Sequence, residues 1–163
     1  MLQTFLPLMT NDFASIAKTL DNRRLNKQAL EGWQILMTLV ELDPQGNDRK
    51  PKGWVNHPAV KMWRGYETAL FHYILAMTEE WKARGFQTTI GDKASDTYKR
   101  AVYLGRVGSS ELPEWLTNEA MFAEITATHR QALLVKEYSW YHQFAWPEDT
   151  GVAPTEYTYI WPV

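Results

Sequence analysis

The stretch NHPAVKMWRGYETALFHYILAMTEEWKARGF, residues 56–86, decides the fold class. His57-Pro58 starts a helix here, because proline is preset for the first helical turn and its missing N–H costs nothing there. Arg84-Gly85 ends it, with a cation in the last turn and a glycine that tolerates a left-handed conformation. Between these ends, apolar residues recur at helical spacing, which predicts one long core helix. They are Val60, Trp63, Leu70, Ile74, Met77 and Trp81.

Two further segments have the apolar periodicity and the end signals of long helices. Asn11 or Asp12 is a capping residue for a helix that runs to about Leu42. Pro113 starts the other helix, which runs to residue 136. Few segments alternate polar and apolar residues as strands do. The sequence therefore predicts an all-α fold of about three long helices plus short helices.

The remaining segments are expected to connect or cover these helices. Residues 1–10 are expected to be extended, 87–97 to form a polar loop, and 96–106 to form a short helix. The tail from residue 138 to residue 163 is rich in aromatic residues and proline, and is expected to be irregular and packed on the core. Because no internal repeat or clear linker is present, one domain over residues 1–163 is expected.

Composition excludes several classes of protein. The chain has 163 residues, of which 45% are hydrophobic, so it is long enough for a sizeable core and disorder is not expected. No apolar run approaches the ~20 residues of a membrane helix, and the first residues lack the pattern of a secretion signal. Cysteine is absent, which excludes disulfides and thiolate metal sites. A cytoplasmic protein without membrane contact is expected.

Charge is unevenly distributed along the chain. The net charge of −2 argues against a generic nucleic-acid binder. However, residues 1–64 hold nine Lys/Arg against six Asp/Glu, whereas residues 65–163 hold eight against thirteen. A basic N-terminal part is suited to face an anion. The eight Trp and eight Tyr suit either a core or stacking on nucleobases.

The first helix has one polar face, on which Arg24, Lys27 and Gln28 lie with Arg23 at the edge. Its only acid is Glu31. One interpretation is a solvated face with weak ion pairs. The other is an anion site, in which cations hold phosphates and the lone acid serves acid/base or charge-stabilising chemistry. The opposite, apolar face is formed by Leu25, Ala29, Trp33, Leu36 and Val40.

Sequence motifs for other chemistries are missing. The four histidines show no zinc-helix spacing. His129 falls on the apolar side of the third helix, which predicts a buried, hydrogen-bonded histidine. No phosphate-binding, dinucleotide-binding or serine-hydrolase motif occurs. We therefore expect neither a metal nor a cofactor.

The α-amine of the chain is a further candidate nucleophile. Its unperturbed pKa of about 7.7–8.0 leaves an appreciable neutral fraction near pH 7. A neutral amine attacks a sugar C1′ or an aldehyde to form a Schiff base. Because Leu2 is bulky and removal of the initiator methionine needs a small second residue, we expect Met1 to carry this amine.

Several phrases together resemble the pyrimidine-dimer DNA glycosylase (bacteriophage endonuclease V-like) family, and most closely a divergent bacterial branch of it. The resemblance to that branch covers nearly the whole chain, and that to the phage enzyme is remote. The family's W/L-K-x-R-G-F-like and W-Y-x-x-[YF] phrases correspond to residues 81–86 and 140–144. The phrases of the branch are Gln3-Thr4-Phe5-Leu6-Pro7, Leu20-Asp21…Arg24-Leu25…Lys27-Gln28…Glu31, Asn56-His57-Pro58-Ala59-Val60…Met62-Trp63…Gly65-Tyr66-Glu67, His129-Arg130…Leu133-Leu134…Lys136 and Tyr159-Ile160-Trp161-Pro162.

The resemblance implies a compact all-α enzyme that binds duplex DNA and flips a nucleotide. Attack on C1′ by the Met1 amine would release the base, and β-elimination would then cleave the strand. We expect a monomer. The residues expected to contact DNA are Arg23, Arg24, Lys27, Gln28, Lys61, Arg64, Arg130, Trp140, Tyr141 and His142.

The chain departs from the family pattern at the catalytic acid. The family's R-E-L phrase carries this acid, and the nearest phrase here is Arg23-Arg24-Leu25. Glu31 and Asp21 are the two candidates to replace it. A non-catalytic protein on the same scaffold that recognises bent or modified DNA is therefore an alternative. A helical domain that binds other proteins is a third.

Overall fold

The computed structural model describes residues 2–163, so the predicted nucleophile Met1 lies outside the described residues. The predicted all-α class is confirmed: the described part of the chain contains helices and no β-strand. Two short 3₁₀ helices, Trp54–Asn56 and His142–Phe144, accompany the α-helices. The α-helices are α1 (Phe13–Thr19), α2 (Asn22–Val40), α3 (Pro58–Lys61), α4 (Glu67–Ala83), α5 (Ile90–Tyr103), α6 (Glu114–Thr117), α7 (Glu119–Lys136) and α8 (Tyr138–Tyr141).

The first predicted long helix is two helices. Asp12 caps α1 as expected, and its side chain accepts a hydrogen bond from the Ala14 N–H. The chain then becomes extended at buried Leu20 before α2 begins. A residue distant in sequence stabilises this break, because the Asp21 N–H donates to the Tyr141 hydroxyl at 3.1 Å. The prediction of one helix to Leu42 was therefore wrong at this point.

The stretch that decides the fold class also contains a break. Its ends are as predicted, with Pro58 opening α3 and Arg84 closing α4. Between the two helices, Gly65 adopts a φ of 85°, which ends the helical path. The buried Glu67 carboxylate accepts the Gly65 N–H at 3.2 Å and the Gly108 N–H at 3.0 Å. A distant loop therefore helps to hold the turn that splits the predicted helix.

Two other predictions need correction. Helix α5 already begins at Ile90, so most of the predicted loop over residues 87–97 is helical. The third long helix is interrupted at Asn118, whose side chain accepts the Met121 N–H and caps α7. The aromatic tail forms α8 and a 3₁₀ turn, and has no regular structure from Ala145 onward. Its expected packing on the core is confirmed by the partly buried Tyr157, Tyr159 and Trp161.

The N-terminal segment, residues 2–7, has no regular secondary structure and is buried, whereas residues 8–10, which were also predicted to be extended, form a bend. The described residues form no strand beside this segment, so side chains bind its backbone and polar groups instead. The Tyr73 hydroxyl donates to the Phe5 carbonyl at 2.9 Å, and the Trp63 indole donates to the Thr4 hydroxyl at 3.0 Å. Since Trp63 precedes α4 and Tyr73 belongs to it, the central part of the fold determines where the N-terminal segment lies.

Across residues 2–163, no helix combines the length and apolar character needed to cross a lipid bilayer.

We predict that Gly108→Ala destabilises the fold. A Cβ atom at this position would lie 2.4 Å from the Gly65 carbonyl oxygen, and a backbone atom cannot easily move away. The free energy of unfolding should fall by about 1–3 kcal/mol. Ser110→Ala is the matched control, because this residue of the same loop is exposed and its change should stay within about 0.5 kcal/mol. Equal effects of the two variants in urea unfolding would contradict the packing argument.

Candidate functional site

The N-terminal segment covers the polar face of α2. The Gln3 N–H donates to Glu31 Oε2 at 3.2 Å, and the Phe5 N–H donates to Gln28 Oε1 at 2.8 Å. As a result, Gln28 is 1% exposed and Glu31 is 5% exposed. The interpretation of this face as fully solvated is therefore wrong at these two residues. Arg23 and Lys27 do remain exposed beside them.

His129 of α7 holds the segment from the other side. Its Nδ1 accepts the Leu6 N–H at 2.9 Å, and its Nε2 lies 3.0 Å from the Gln3 side-chain nitrogen. Complete burial lowers the pKa of His129 to about 3, so the ring is neutral at physiological pH. The prediction of a buried, hydrogen-bonded histidine is confirmed.

A cavity of about 220 Å³ opens where the N-terminal segment, α2, α7 and the C-terminal tail meet. Among residues 2–163, its wall contains one acid, Glu31, and four cations. Helix α2 supplies three of the cations, and α7 supplies Lys136 at its last turn. The lining residues are Gln3, Phe5, Arg23, Arg24, Lys27, Gln28, Glu31, Lys136 and Tyr159.

Glu31 has the electrostatic environment of a candidate acid/base group. Burial raises the pKa of its carboxyl group, while the positive charge of Lys27 opposes the shift. Lys27 Nζ lies 3.8 Å from Glu31 Oε1, one helical turn away. A carboxyl group with a raised pKa exchanges protons closer to neutral pH than an ordinary glutamate does.

Asp21, the other candidate acid, does not line this cavity. The Tyr141 hydroxyl donates a short hydrogen bond to Asp21 Oδ1, and Arg24 Nη1 lies 3.3 Å from Asp21 Oδ2. Tyr141 is 0% exposed, and burial raises its pKa, with the Asp21 hydrogen bond adding to the shift. Because Asp21 and Tyr141 join α8 to the start of α2, their contacts indicate a structural role for both residues.

The other predicted DNA-contacting residues lie outside the cavity wall. The Trp140 indole donates to the Thr19 carbonyl at 2.8 Å, and its ring lies under Arg84 at 5.9 Å. Arg130 is paired with Glu148. His142 is exposed and stacks on a neighbouring tyrosine. Lys61 and Arg64 line a separate cleft with Pro162 and Val163. A role in DNA contact stays a prediction for each of them.

Four residues of the cavity wall were not predicted as site residues from the sequence, namely Gln3, Phe5, Lys136 and Tyr159. Each belongs to a phrase quoted above for the family resemblance, which was the only signal available for them. Spacing along one helix could not have found them, because they lie on different elements.

A second, larger groove of about 440 Å³ flanks the N-terminal segment at Leu2. Its wall includes the half-exposed ring of Trp54 and the cations Arg49, Lys50 and Lys52. Leu2 and Gln3 therefore lie between this groove and the cavity, both of which have basic walls. Within residues 2–163, no group of three or more His, Asp or Glu side chains is arranged to hold a metal ion.

We predict that His129 makes stability depend on pH. Its folded pKa of about 3 lies below the ordinary value of 6.5, so the unfolded chain binds the proton more readily. The free energy of unfolding should therefore fall as the pH drops from 6.5 towards 3, by up to about 1.4 kcal/mol per pH unit. Glu31 acts in the opposite sense, because its pKa is raised.

The measurement that isolates His129 is the difference in unfolding free energy between the wild type and His129→Gln. This difference should shrink as the pH falls from 7 to 4. A difference that is independent of pH would contradict a neutral, buried His129.

The comparisons with known proteins agree with the resemblance in the N-terminal part of the chain. The family described as "Pyrimidine dimer DNA glycosylase" matches residues 2–94, which is more than half of the chain and includes the N-terminal segment and all of α2. No curated protein and no solved structure matches the chain. The matched residues contain the candidate acid and three of the four cations of the cavity. The chain belongs to the pyrimidine dimer DNA glycosylase family.

Proposed function

We propose that this member of the family is a DNA repair glycosylase with an associated abasic-site lyase activity on damaged or modified pyrimidines. The α-amine of Met1 is the nucleophile and Glu31 is the acid/base group. One observation carries the proposal: the Gln3 N–H donates to Glu31 Oε2 at 3.2 Å. This bond holds Gln3, two residues after Met1, against the one carboxylate that the described residues contribute to the cavity wall.

Covalent geometry limits how far the amine can be from this carboxylate. Two extended residues span about 7 Å, so the amine lies within about 10 Å of Glu31 Oε2 in any conformation of the first residues. This distance supports a reaction centre at the end of the cavity. Attack and proton transfer need shorter distances, which substrate binding would establish.

The proposed reaction has two stages. The amine nitrogen attacks C1′, and the glycosidic bond breaks with its electron pair leaving on the base, which takes up the proton that the nitrogen loses. A proton on O4′ then opens the sugar ring and leaves C1′ doubly bonded to nitrogen. Loss of a C2′ proton expels the 3′ phosphate, and water finally releases the amine. Glu31 is suited to give the first sugar proton and to accept the second, because its pKa is raised.

The cations suit the phosphates on either side of the reacting nucleotide. Arg23 and Lys27 are exposed at the cavity, and Lys136 faces them from α7. The second groove adds Arg49 and Lys50 beyond Leu2. Phosphates on both sides of an extruded nucleotide would then meet positive charge, although the whole chain is slightly acidic.

Lys27 is a competing nucleophile, because its amine lies 3.8 Å from Glu31. The variant Lys27→Arg separates the two, since a guanidinium keeps the positive charge and stays protonated. If Met1 is the nucleophile, this variant should still cleave a duplex with an abasic site, whereas acetylation of the N-terminus should abolish cleavage. Cleavage by the acetylated protein would contradict the proposal.

We predict that Glu31→Gln lowers strand cleavage at an abasic site and at a thymine dimer by about 10²–10⁴-fold, the range for loss of an acid/base group. The fold should tolerate the change. Burial raises the Glu31 pKa, so this group stabilises the fold below the ordinary value of 4.5, and that contribution is lost as the pH rises through the folded pKa.

At pH 8, Glu31→Gln should therefore melt at the same temperature as the wild type or higher. Rates of single-turnover cleavage and thermal melting at pH 5 and pH 8 test both parts. A variant that loses activity only because it unfolds would contradict the assignment. If wild type and variant bind damaged duplexes equally and neither cleaves them, the protein is the non-catalytic DNA reader considered above.

We also predict the effect of the cavity cations on DNA binding. Arg23→Gln should weaken binding to any duplex and reduce by about one unit the slope of log affinity against log salt concentration. Lys99→Gln is a control on the exposed side of α5, outside the cavity wall, and should leave the slope unchanged. Fluorescence anisotropy across a salt series measures both. A loss that is equal in the two variants would indicate a diffuse charge effect.

A further inference from the structure

The groove at Leu2 combines positive charge with an exposed aromatic ring. Its wall contains Arg49, Lys50 and Lys52, and among residues 2–163 it contains no acid. Lys50 and Lys52 form no salt bridge with any of these described residues, so their charges are available to a ligand. Trp54 in the same wall is 51% exposed. Cations beside an exposed aromatic ring suit the phosphates and bases of a nucleic-acid strand.

Trp54 is held in place although its ring is exposed. Gly53 turns the chain just before it with a φ of 71°, and the Trp54 N–H donates to the Lys52 carbonyl at 2.9 Å. The His57 N–H donates to the Trp54 carbonyl at 2.9 Å, and the two rings meet edge-on with 5.3 Å between their centres. Because these contacts position the indole in advance, little conformational entropy is lost when a ligand binds to it.

A series of rings links the groove to the cavity. The His57 ring also meets the Trp161 ring at 5.7 Å, and Trp161 lies 5.4 Å from the ring of Tyr159 in the cavity wall. Leu2 lines the groove and Gln3 lines the cavity. Since these two residues are consecutive, their α-carbons are about 3.8 Å apart. A DNA strand that places one nucleotide at the cavity therefore has its next nucleotide within reach of the groove.

The groove has the size and the lining to accommodate a base. Its volume is about 440 Å³, and an apolar cavity of about 150 Å³ is enough for benzene. The nearly buried side chains of Leu2 and Met37 give its wall an apolar part. Extrusion of one nucleotide leaves one face of the neighbouring base without a stacking partner. An indole replaces that partner for any base, because every base has a π face.

We propose that the groove at Trp54 is a second nucleotide site, which binds the nucleotide next to the extruded one in the same strand. Trp54 stacks on the base of this neighbour, and Lys50 and Lys52 bind the adjoining phosphates. The groove then recognises the gap in the base stack, whatever the sequence of the neighbouring base. This inference rests on the proposed function for the presence of an extruded nucleotide.

The test compares Trp54→Ala with the wild type in binding to five duplexes that share one sequence. One duplex is undamaged, and one carries a single tetrahydrofuran abasic site, which keeps the sugar ring and cannot react at C1′. Two further duplexes also lack the neighbouring base, on the 5′ side or on the 3′ side of this site. The fifth also lacks the base opposite the site. Fluorescence anisotropy measures the five affinities for each protein.

Trp54→Ala should lower affinity for the duplex with a single abasic site by about 5- to 150-fold, the range for loss of stacking on one base. Affinity for one of the two tandem duplexes should not change, because no base is present there for Trp54 to stack on. That duplex identifies the side on which the neighbour lies. The loss should persist when the opposite base is missing. Trp54→Phe should lose less affinity, because it keeps an aromatic ring.

The dependence on the neighbouring base separates stacking from a structural role. A variant that is partly unfolded would lose affinity for every duplex alike. Tyr103→Ala is the matched control, because Tyr103 is 81% exposed and lies outside the walls of the groove and the cavity. This control should bind all five duplexes as the wild type does. Lys50→Gln should weaken binding to the single and tandem duplexes equally, because the phosphates are present in all of them.

Several outcomes would overturn the inference: no loss with Trp54→Ala, an equal loss on all five duplexes, or a loss that disappears only when the opposite base is missing. A wild type without preference for the abasic duplex would also overturn it. If the wild type cleaves a natural abasic site while Trp54→Ala binds normally, the proposed function stands and the inference fails. If the neighbour-dependent loss occurs but no strand is cleaved, the amine chemistry fails and the second nucleotide site remains.

Discussion

The contact between the N-terminal segment and the polar face of α2 is the constraint on which the candidate site depends. A segment without regular secondary structure cannot satisfy its own backbone hydrogen bonds, and the described residues form no strand beside it. Gln28 and Glu31 of α2 and His129 of α7 accept its N–H groups instead. The same contacts bury a carboxyl group and bring the start of the chain to a basic cavity. The hydrogen bonds that the backbone of this segment requires therefore also form the candidate site.

Helix identity and end signals could be predicted from the sequence because they depend on neighbouring residues. Pro58, Arg84 and Asp12 act at the positions expected for them. The breaks inside the predicted helices could not be predicted, because distant groups stabilise them. Glu67 accepts an N–H from Gly108, and Tyr141 binds the backbone at Asp21. Such contacts have no local sequence signal.

The candidate site also combines residues that local sequence signals predict with residues that only tertiary packing brings in. Arg23, Arg24, Lys27 and Glu31 were found together because helical spacing places them on one face. Lys136 and Tyr159 join them only through the packing of α7 and the tail on that face. Tyr141 was predicted to contact DNA from its phrase alone, yet it is buried against α2. Aromatic residues serve cores and nucleobases equally well, so only the fold distinguishes the two uses.

The most direct test of the central claim is to identify the atom that bonds to DNA. Untagged protein would be mixed with a duplex carrying an abasic site, reduced with borohydride and digested with trypsin, and the adduct would be located by mass spectrometry. We predict the added mass on the α-amine of the first tryptic peptide, residues 1–18. An adduct on Lys27 or Lys136, or no adduct with an accessible abasic site, would contradict it.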